Sequence, residues 1–245
     1  MYAIYVEGLK KSFKVNFKKV DVLKQVDLKV NQGEIYWFIG PNGAGKTTTI
    51  KCILGFLKYD AGNIEILGKQ PTKNKEVFSK IGFAPENTYF YDHLTGEEFL
   101  LFMGMLAGMK KTEIALRAIA LLEKVGLLDA RKKLIKSYSK WMKQRLGIAA
   151  AIINDPQVIF FDEPMSWLDP LGRILVKDLI KQLKSQGKTI FFNTHILSDV
   201  QEIADRFSMI YNWKIIFEGA VGDVKGQNLE EFFIKKVNEV KIEAH

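Results

Sequence analysis

Eight consecutive residues, Gly40-Pro41-Asn42-Gly43-Ala44-Gly45-Lys46-Thr47, fit the pattern G-x-x-x-x-G-K-[ST]. They follow an apolar, strand-like run and open a segment of helical periodicity. Glycines in such a loop let backbone N–H groups converge on phosphate oxygens, which a Cβ would obstruct. The N-terminus of the helix adds the positive end of its dipole. Lys46 can then reach β- and γ-phosphates, and the Thr47 hydroxyl can ligate Mg²⁺. A chance glycine-rich turn is the rival reading, and the strand–turn–helix setting argues against it.

About 116 residues after Lys46, four apolar residues (Val158 to Phe161) end in Asp162-Glu163. A buried strand of this kind delivers Asp162 to the mouth of a sheet, where it can hold Mg²⁺ through water. Glu163, one residue on, can polarise an attacking water as general base. Two acids after a strand are weak alone; behind a phosphate loop they are strong. His195 closes another apolar run, FFNTH. A lone histidine is more often structural, but this one ends a strand expected to run parallel to the previous one. It should therefore emerge on the same edge and contact the γ-phosphate. His93 and His245 have no such setting and read as structural.

These residues need a frame. The N-terminal part alternates in strand fashion in YAIYVEGL, VLKQVDLKV and GEIYWFIG. A helix is expected from Thr47 to about Leu57, then a turn and short strand in AGNIEILGK. The stretch from about residue 87 to 151 is helix-rich. QVIFFDEP and KTIFFNTH read as buried parallel strands, with a helix between them closed by Gly187. A hairpin, SMIYNWKIIFEG, and a helix, LEEFFIKKVNEV, finish the chain.

The 245 residues suit one large domain with a modest subdomain, and 47% hydrophobic with 26% charged residues is ordinary for a globular protein. The formal charge of +8 fits nucleic acid, an anionic membrane surface, a phosphate-bearing ligand or a solvated lysine-rich surface. Cys52 stands alone, so no intramolecular disulfide forms, which fits a reducing compartment. The N-terminus lacks the apolar core of a signal peptide. No apolar run approaches the roughly 20 residues that span a bilayer; Phe99–Met109 is about half that. A membrane role would come through a partner.

With these motifs placed, the chain resembles the ATP-binding subunit of an ABC transporter over essentially its whole length. The phosphate loop is GPNGAGKTT, Gly40 to Thr48; IGFAPEN stands at the Q-loop, YSKWMKQRLGIA at the signature, VIFFDEP at the second nucleotide motif, SWLDPLGR at the D-loop and NTH at the switch histidine. GPNGAGKTTTI, DPLGR and LEEFFIKKV most resemble the bacterial ABC-2-type exporter branch, with separate membrane subunits. The resemblance implies an α/β fold: a P-loop NTPase core with a mixed or parallel sheet, an N-terminal antiparallel β-subdomain and a helical subdomain. It implies an ATPase domain over residues 1–225, with the helical subdomain inserted at about 87–151, and a helical extension at 226–245. ATP and Mg²⁺ are the implied ligands. Two copies would pair head-to-tail around two ATP molecules. Lys46, Thr47, Thr48 and Asp162 would come from one copy, and Ser139 from the other. Phe13 would stack on adenine, a core aromatic being the alternative. Asp169 would link the two sites. An integral membrane permease would dock near Glu86–Phe90 at the cytoplasmic face of the cell membrane. A non-transport ABC ATPase usually carries two ATPase units or a long coiled coil, neither present here, so no nucleic-acid partner is expected.

The chain departs from the family pattern at five places. Glu86 replaces the Q-loop glutamine and can still approach Mg²⁺. The other four are all of its tryptophans. Trp141 takes the last position of the signature triplet and Trp167 a D-loop position, both glycine in the family. Trp37 stands three residues before Gly40, again where relatives commonly have glycine. Trp213 follows Asn212 in a hairpin, where a type I′ turn needs φ > 0 at both central residues. An indole at 141 should collide with nucleotide or block closure. One explanation is a degenerate regulatory subunit with little turnover. The other is that the organism reads UGA as glycine and these four positions are misdecoded. Intact Lys46, Asp162, Glu163 and His195 favour the second.

Overall fold

The computed structural model describes residues 1–166, 168–194, 197, 201–224 and 228–243, for Glu243 the backbone only. They fall into two compact units, Met1–Val77 with Phe191–His245, and Phe78–Ile190.

In the first unit, β1 (Tyr2–Val15) pairs antiparallel with both β2 (Lys18–Asn31) and β4 (Ala61–Ile66), in the order β2-β1-β4. Both hairpin strands outrun the alternating segments read from sequence. Lys14 pairs with Lys19 and Val15 with Lys18, around a two-residue turn at Asn16 and Phe17 with φ of 48° and 62°. Lysine-rich, exposed strand ends carry little hydrophobic alternation, so their extension is invisible to periodicity. Inward residues Ile4, Val6, Leu9, Val26, Leu28, Val30, Ile64 and Ile66 alternate with outward polar ones and are fully buried or nearly so.

The same unit holds β3 (Ile35–Ile39), whose five residues are all buried. It runs parallel to β8 (Arg206–Tyr211), and β9 (Lys214–Ala220) returns antiparallel to β8. β7 (Thr189–Thr194) contributes Phe191 and Phe192, which stack on Tyr36 and Trp37. The expected hairpin is formed, with Asn212 at φ 46° and Trp213 at φ 67°. Helix α1 (Lys46–Ile53) ends four residues earlier than the sequence suggests. Gly55, at φ 71°, turns the chain out of the helix, and its N–H bonds the Cys52 carbonyl. The C-terminal helix α6 (Leu229–Glu243) packs Phe232 edge-on to Phe217, centroids 4.9 Å apart.

In the second unit, β5 (Ile81–Ala84) runs parallel to β6 (Val158–Asp162), all of whose residues are buried. β5 is four residues long and falls inside the segment read as a Q-loop. Three helices lie between them in sequence: α2 (Gly96–Leu106), α3 (Lys111–Lys124) and α4 (Lys140–Ala151). Thr95 and Glu98 close a capping box at the start of α2. Helix α5 (Pro170–Ser185) begins where Asp169 caps it and Pro170 fits its first turn. Gly187, at φ 79°, ends it as expected.

Candidate functional site

The phosphate loop joins β3 to α1. Its glycines are required by geometry at two points. Gly45 sits at φ 106°, and a Cβ there would lie 2.9 Å from the Val22 carbonyl oxygen. At Gly40 a Cβ would lie 2.5 Å from the Ile210 carbonyl oxygen. Lys46 is 7% exposed, and its ammonium lies inside the loop, donating to the Gly40 carbonyl at 2.7 Å and the Pro41 carbonyl at 3.3 Å. No side chain caps α1, and no acid occupies its first turn. That leaves the positive end of the helix facing the loop, the arrangement that binds phosphate. Thr49 anchors the turn from behind, its Oγ1 donating to the Gly45 carbonyl at 2.9 Å.

Trp213 is part of this surface. Its Nε1–H donates to the Gly43 carbonyl at 3.3 Å, and the Lys24 ammonium lies 4.5 Å from the indole centroid. The Lys24 N–H donates in turn to the Trp213 carbonyl. Trp37 is fully buried against Phe192 and Phe207, with centroids at 6.3 and 6.4 Å. Its Nε1 is the one buried side-chain nitrogen or oxygen without a hydrogen-bond partner among the described residues. Phe13 lies on β1 with its ring 38% exposed and Lys11 over it.

In the second unit the chain leaves β6 through Asp162, which is buried, into Glu163. Glu163 holds φ 54°, a left-handed conformation that a residue with a side chain adopts only when its surroundings enforce it. Its carboxylate accepts from Ser166 Oγ at 3.3 Å, and its backbone carbonyl accepts from Gln144 Nε2 at 3.5 Å. Gln144 and Ser166 escaped the sequence reading. Gln144 lies inside the signature segment but meets Glu163 only through a tertiary contact 19 residues away, whereas Ser166 meets it locally, three residues on, from inside the D-loop segment.

Ser139 is the N-cap of α4, its Oγ accepting from the Met142 N–H at 3.2 Å. Trp141 is therefore the second residue of α4, and it is 46% exposed. Asp169 caps α5, its Oδ1 accepting from the Gly172 N–H at 2.7 Å. Glu86 lies exposed just beyond β5. The ring of His93 lies edge-on to Tyr91, centroids 6.0 Å apart. Trp167, His195 and His245 lie outside the described residues.

A glycine-cradled loop closing on a buried lysine at a helix start defines a phosphate-binding α/β protein. The ABC transporter family model matches residues 23–166. An uncharacterized ABC transporter ATP-binding protein of Synechocystis, sll0415, is 46% identical over 213 residues, covering 86% of this chain and 60% of that protein. The bacitracin transport ATP-binding protein BcrA of Bacillus licheniformis is 40% identical over 234 residues, covering 93% and 74%. A solved ATP-binding subunit of an ABC transporter superposes with a TM-score of 0.87 at 29% identity, covering 96% of this chain and 99% of that one. The chain thus belongs to the ABC transporter family, as one of its ATP-binding domains, which are ATPases. It spans 60% of the length of the Synechocystis relative.

Proposed function

We propose that this chain is the motor subunit of an exporter, coupling ATP-driven closure and opening of a head-to-tail homodimer to a separate integral membrane permease. What carries this reading is the apparatus kept intact: a phosphate loop wrapped on Lys46, and a buried Glu163 carboxylate on enforced backbone. Conserving strain of order 1–3 kcal/mol at a carboxylate makes sense where that group must be aimed. The bacitracin-transport name of one relative supports a transport role.

In the proposed cycle Lys46 and the loop amides bind the β- and γ-phosphates, and Phe13 receives the adenine. Thr47, Asp162 and Glu86 would hold Mg²⁺, which would neutralise charge developing on the transferred phosphoryl group. Glu163 orients and deprotonates the attacking water, and His195 contacts the γ-phosphate. Ser139 and the start of α4 present the positive end of a helix to the partner's nucleotide, and Asp169 carries closure between the sites. No described helix is long and apolar enough to cross a membrane. Attachment at the cytoplasmic face would therefore run through the permease, docked near Glu86–Phe90.

The proposal includes glycine at positions 37, 141, 167 and 213 in the natural protein, each encoded by UGA. The unpartnered indole N–H of Trp37 supports this, because a buried donor without an acceptor costs roughly 1–3 kcal/mol. As written, Trp141 favours a second reading, a nucleotide-binding regulatory subunit with little turnover. Reading the four codons separates the two, and a UGG at any position removes it from the set. ATPase assays with the permease present, on the written chain and its four-glycine form, test the motor itself. Turnover by the glycine form is expected; silence from both sinks the motor reading.

A further inference from the structure

Phe13 does not stand alone. The Lys11 ammonium lies 4.9 Å from its ring centroid and 3.8 Å from Asp60 Oδ1. Lys11 is only 13% exposed, so its charge acts on the ring largely free of water. The other carboxylate oxygen of Asp60 accepts from the Ser12 N–H at 2.8 Å and from Ser12 Oγ at 2.5 Å. The Asp60 N–H bonds the Lys10 carbonyl at 2.8 Å. One aspartate thus grips Lys10, Lys11 and Ser12, the three residues that lead into Phe13. Those Ser12 bonds, helped by nearby Lys11, hold the Asp60 carboxyl below its ordinary value. Cys52, in the last turn of α1, senses both Lys11 and Asp60, and burial pushes its thiol up to about 11. The cluster therefore lies beside the far end of the helix that begins at Lys46.

We propose that Lys11 and Asp60 are positioning residues for nucleotide-base binding: Asp60 pins Lys11 across one face of Phe13, leaving the opposite face as a pre-set platform for adenine. The inference rests on the reading of Phe13 as the adenine contact and goes beyond it by naming what orients and polarises the ring. A phenyl ring has a weaker quadrupole than an indole. An ammonium on its far face draws electron density away and improves stacking on an electron-rich purine. Asp60 also directly precedes β4 and follows α1 closely, so platform and phosphate loop belong to one packed unit.

The test measures binding of a non-hydrolysable ATP analogue, AMP-PNP, and of inorganic tripolyphosphate, both with Mg²⁺, to the full chain. Lys11→Met and Asp60→Asn should each weaken AMP-PNP about 3–10-fold, the range of a largely desolvated cation–π contact. Tripolyphosphate affinity should stay unchanged, and Lys11→Arg should keep AMP-PNP affinity. In a Phe13→Ala background the Lys11→Met effect should vanish. Equal weakening of both probes, or a full Lys11→Met effect without Phe13, overturns the proposal. If Phe13→Ala leaves AMP-PNP binding intact, the platform itself falls. If Phe13→Ala weakens it and Lys11→Met does not, only the positioning role falls. Thermal unfolding identifies any variant that fails to fold. Should Asp60→Asn do so, Lys11→Met decides, because it leaves the Asp60–Ser12 bonds in place.

Discussion

Two hairpin turns of the first unit share a backbone and differ in surroundings. Asn16–Phe17 joins β1 to β2, and Asn212–Trp213 joins β8 to β9, each pair with both φ angles positive. A branched or bulky side chain in that region is strained by roughly 1–2 kcal/mol, and glycine is the residue that avoids it. Phe17 is fully exposed, whereas the Trp213 indole is half-buried, bonded to Gly43 and covered by Lys24. A phenylalanine codon does not arise from misreading UGA, so this protein tolerates an aromatic in a left-handed turn by its own choice. Strain at Trp213 therefore distinguishes glycine from tryptophan less than the turn alone suggests. Trp37, buried with an orphaned N–H in a strand of ordinary backbone, distinguishes them better.

The widest separation between outcomes is at that strand. Replacing a native buried tryptophan by a far smaller residue costs about 3–5 kcal/mol. If position 37 is natively glycine, Trp37→Gly leaves the chain at least as stable, as read by urea unfolding. A loss of about 3–5 kcal/mol would establish tryptophan as the native residue. Next is Trp141→Gly, in the first turn of α4, where the indole projects 46% exposed. Misplacement of a reacting geometry by about 1 Å costs on the order of 10²-fold in rate. ATP turnover with the permease present should rise by about that factor, with unfolding nearly unchanged because the side chain is outside the core. An unchanged rate would clear Trp141 of obstructing closure.

The contrast between the turns also marks what sequence makes legible. Val158–Phe161 and Ile190–Phe192 read as buried strands because continuous apolar runs admit few other homes, and all are buried. The phosphate loop was legible because its glycines answer a backbone demand, seen at Gly45. Lys18–Val20 and the four-residue β5 were not, since charge and brevity erase the period that identifies a strand. Asp60 and Gln144 were hidden for another reason. Each is an ordinary polar residue until the fold brings it against Ser12, 48 positions away in sequence, or Glu163, 19 away.

A smaller effect is expected at the first turn. Phe17→Gly removes a side chain that is fully exposed and relieves φ 62°. The relief of roughly 1–2 kcal/mol exceeds the glycine entropy cost of about 0.5–1. Stability should rise by about 0.5–1 kcal/mol, seen as a higher Tm with nucleotide affinity unchanged. A fall would mean that the ring has a partner in the folded protein.

An effect of the opposite sign is expected at the second turn. Trp213→Gly relieves the same strain at φ 67° but gives up a hydrogen bond to Gly43 and the Lys24 ammonium over the ring. Those contacts are worth about 0.5–1.5 and 0.5–1 kcal/mol respectively, close to the strain removed. With the glycine entropy cost of about 0.5–1 kcal/mol added, stability should fall slightly, by about 0.5–1 kcal/mol, so the two turns differ in sign although their backbones match. Because the lost bond ends on a phosphate-loop carbonyl, inorganic tripolyphosphate binding is the more telling readout. An unchanged affinity leaves the indole a passenger on the loop. Tighter binding means that Gly43 was being held by a residue the loop works better without, which is the behaviour expected if glycine is native there. Weaker binding would make the indole a working support of the loop and would remove position 213 from the glycine set.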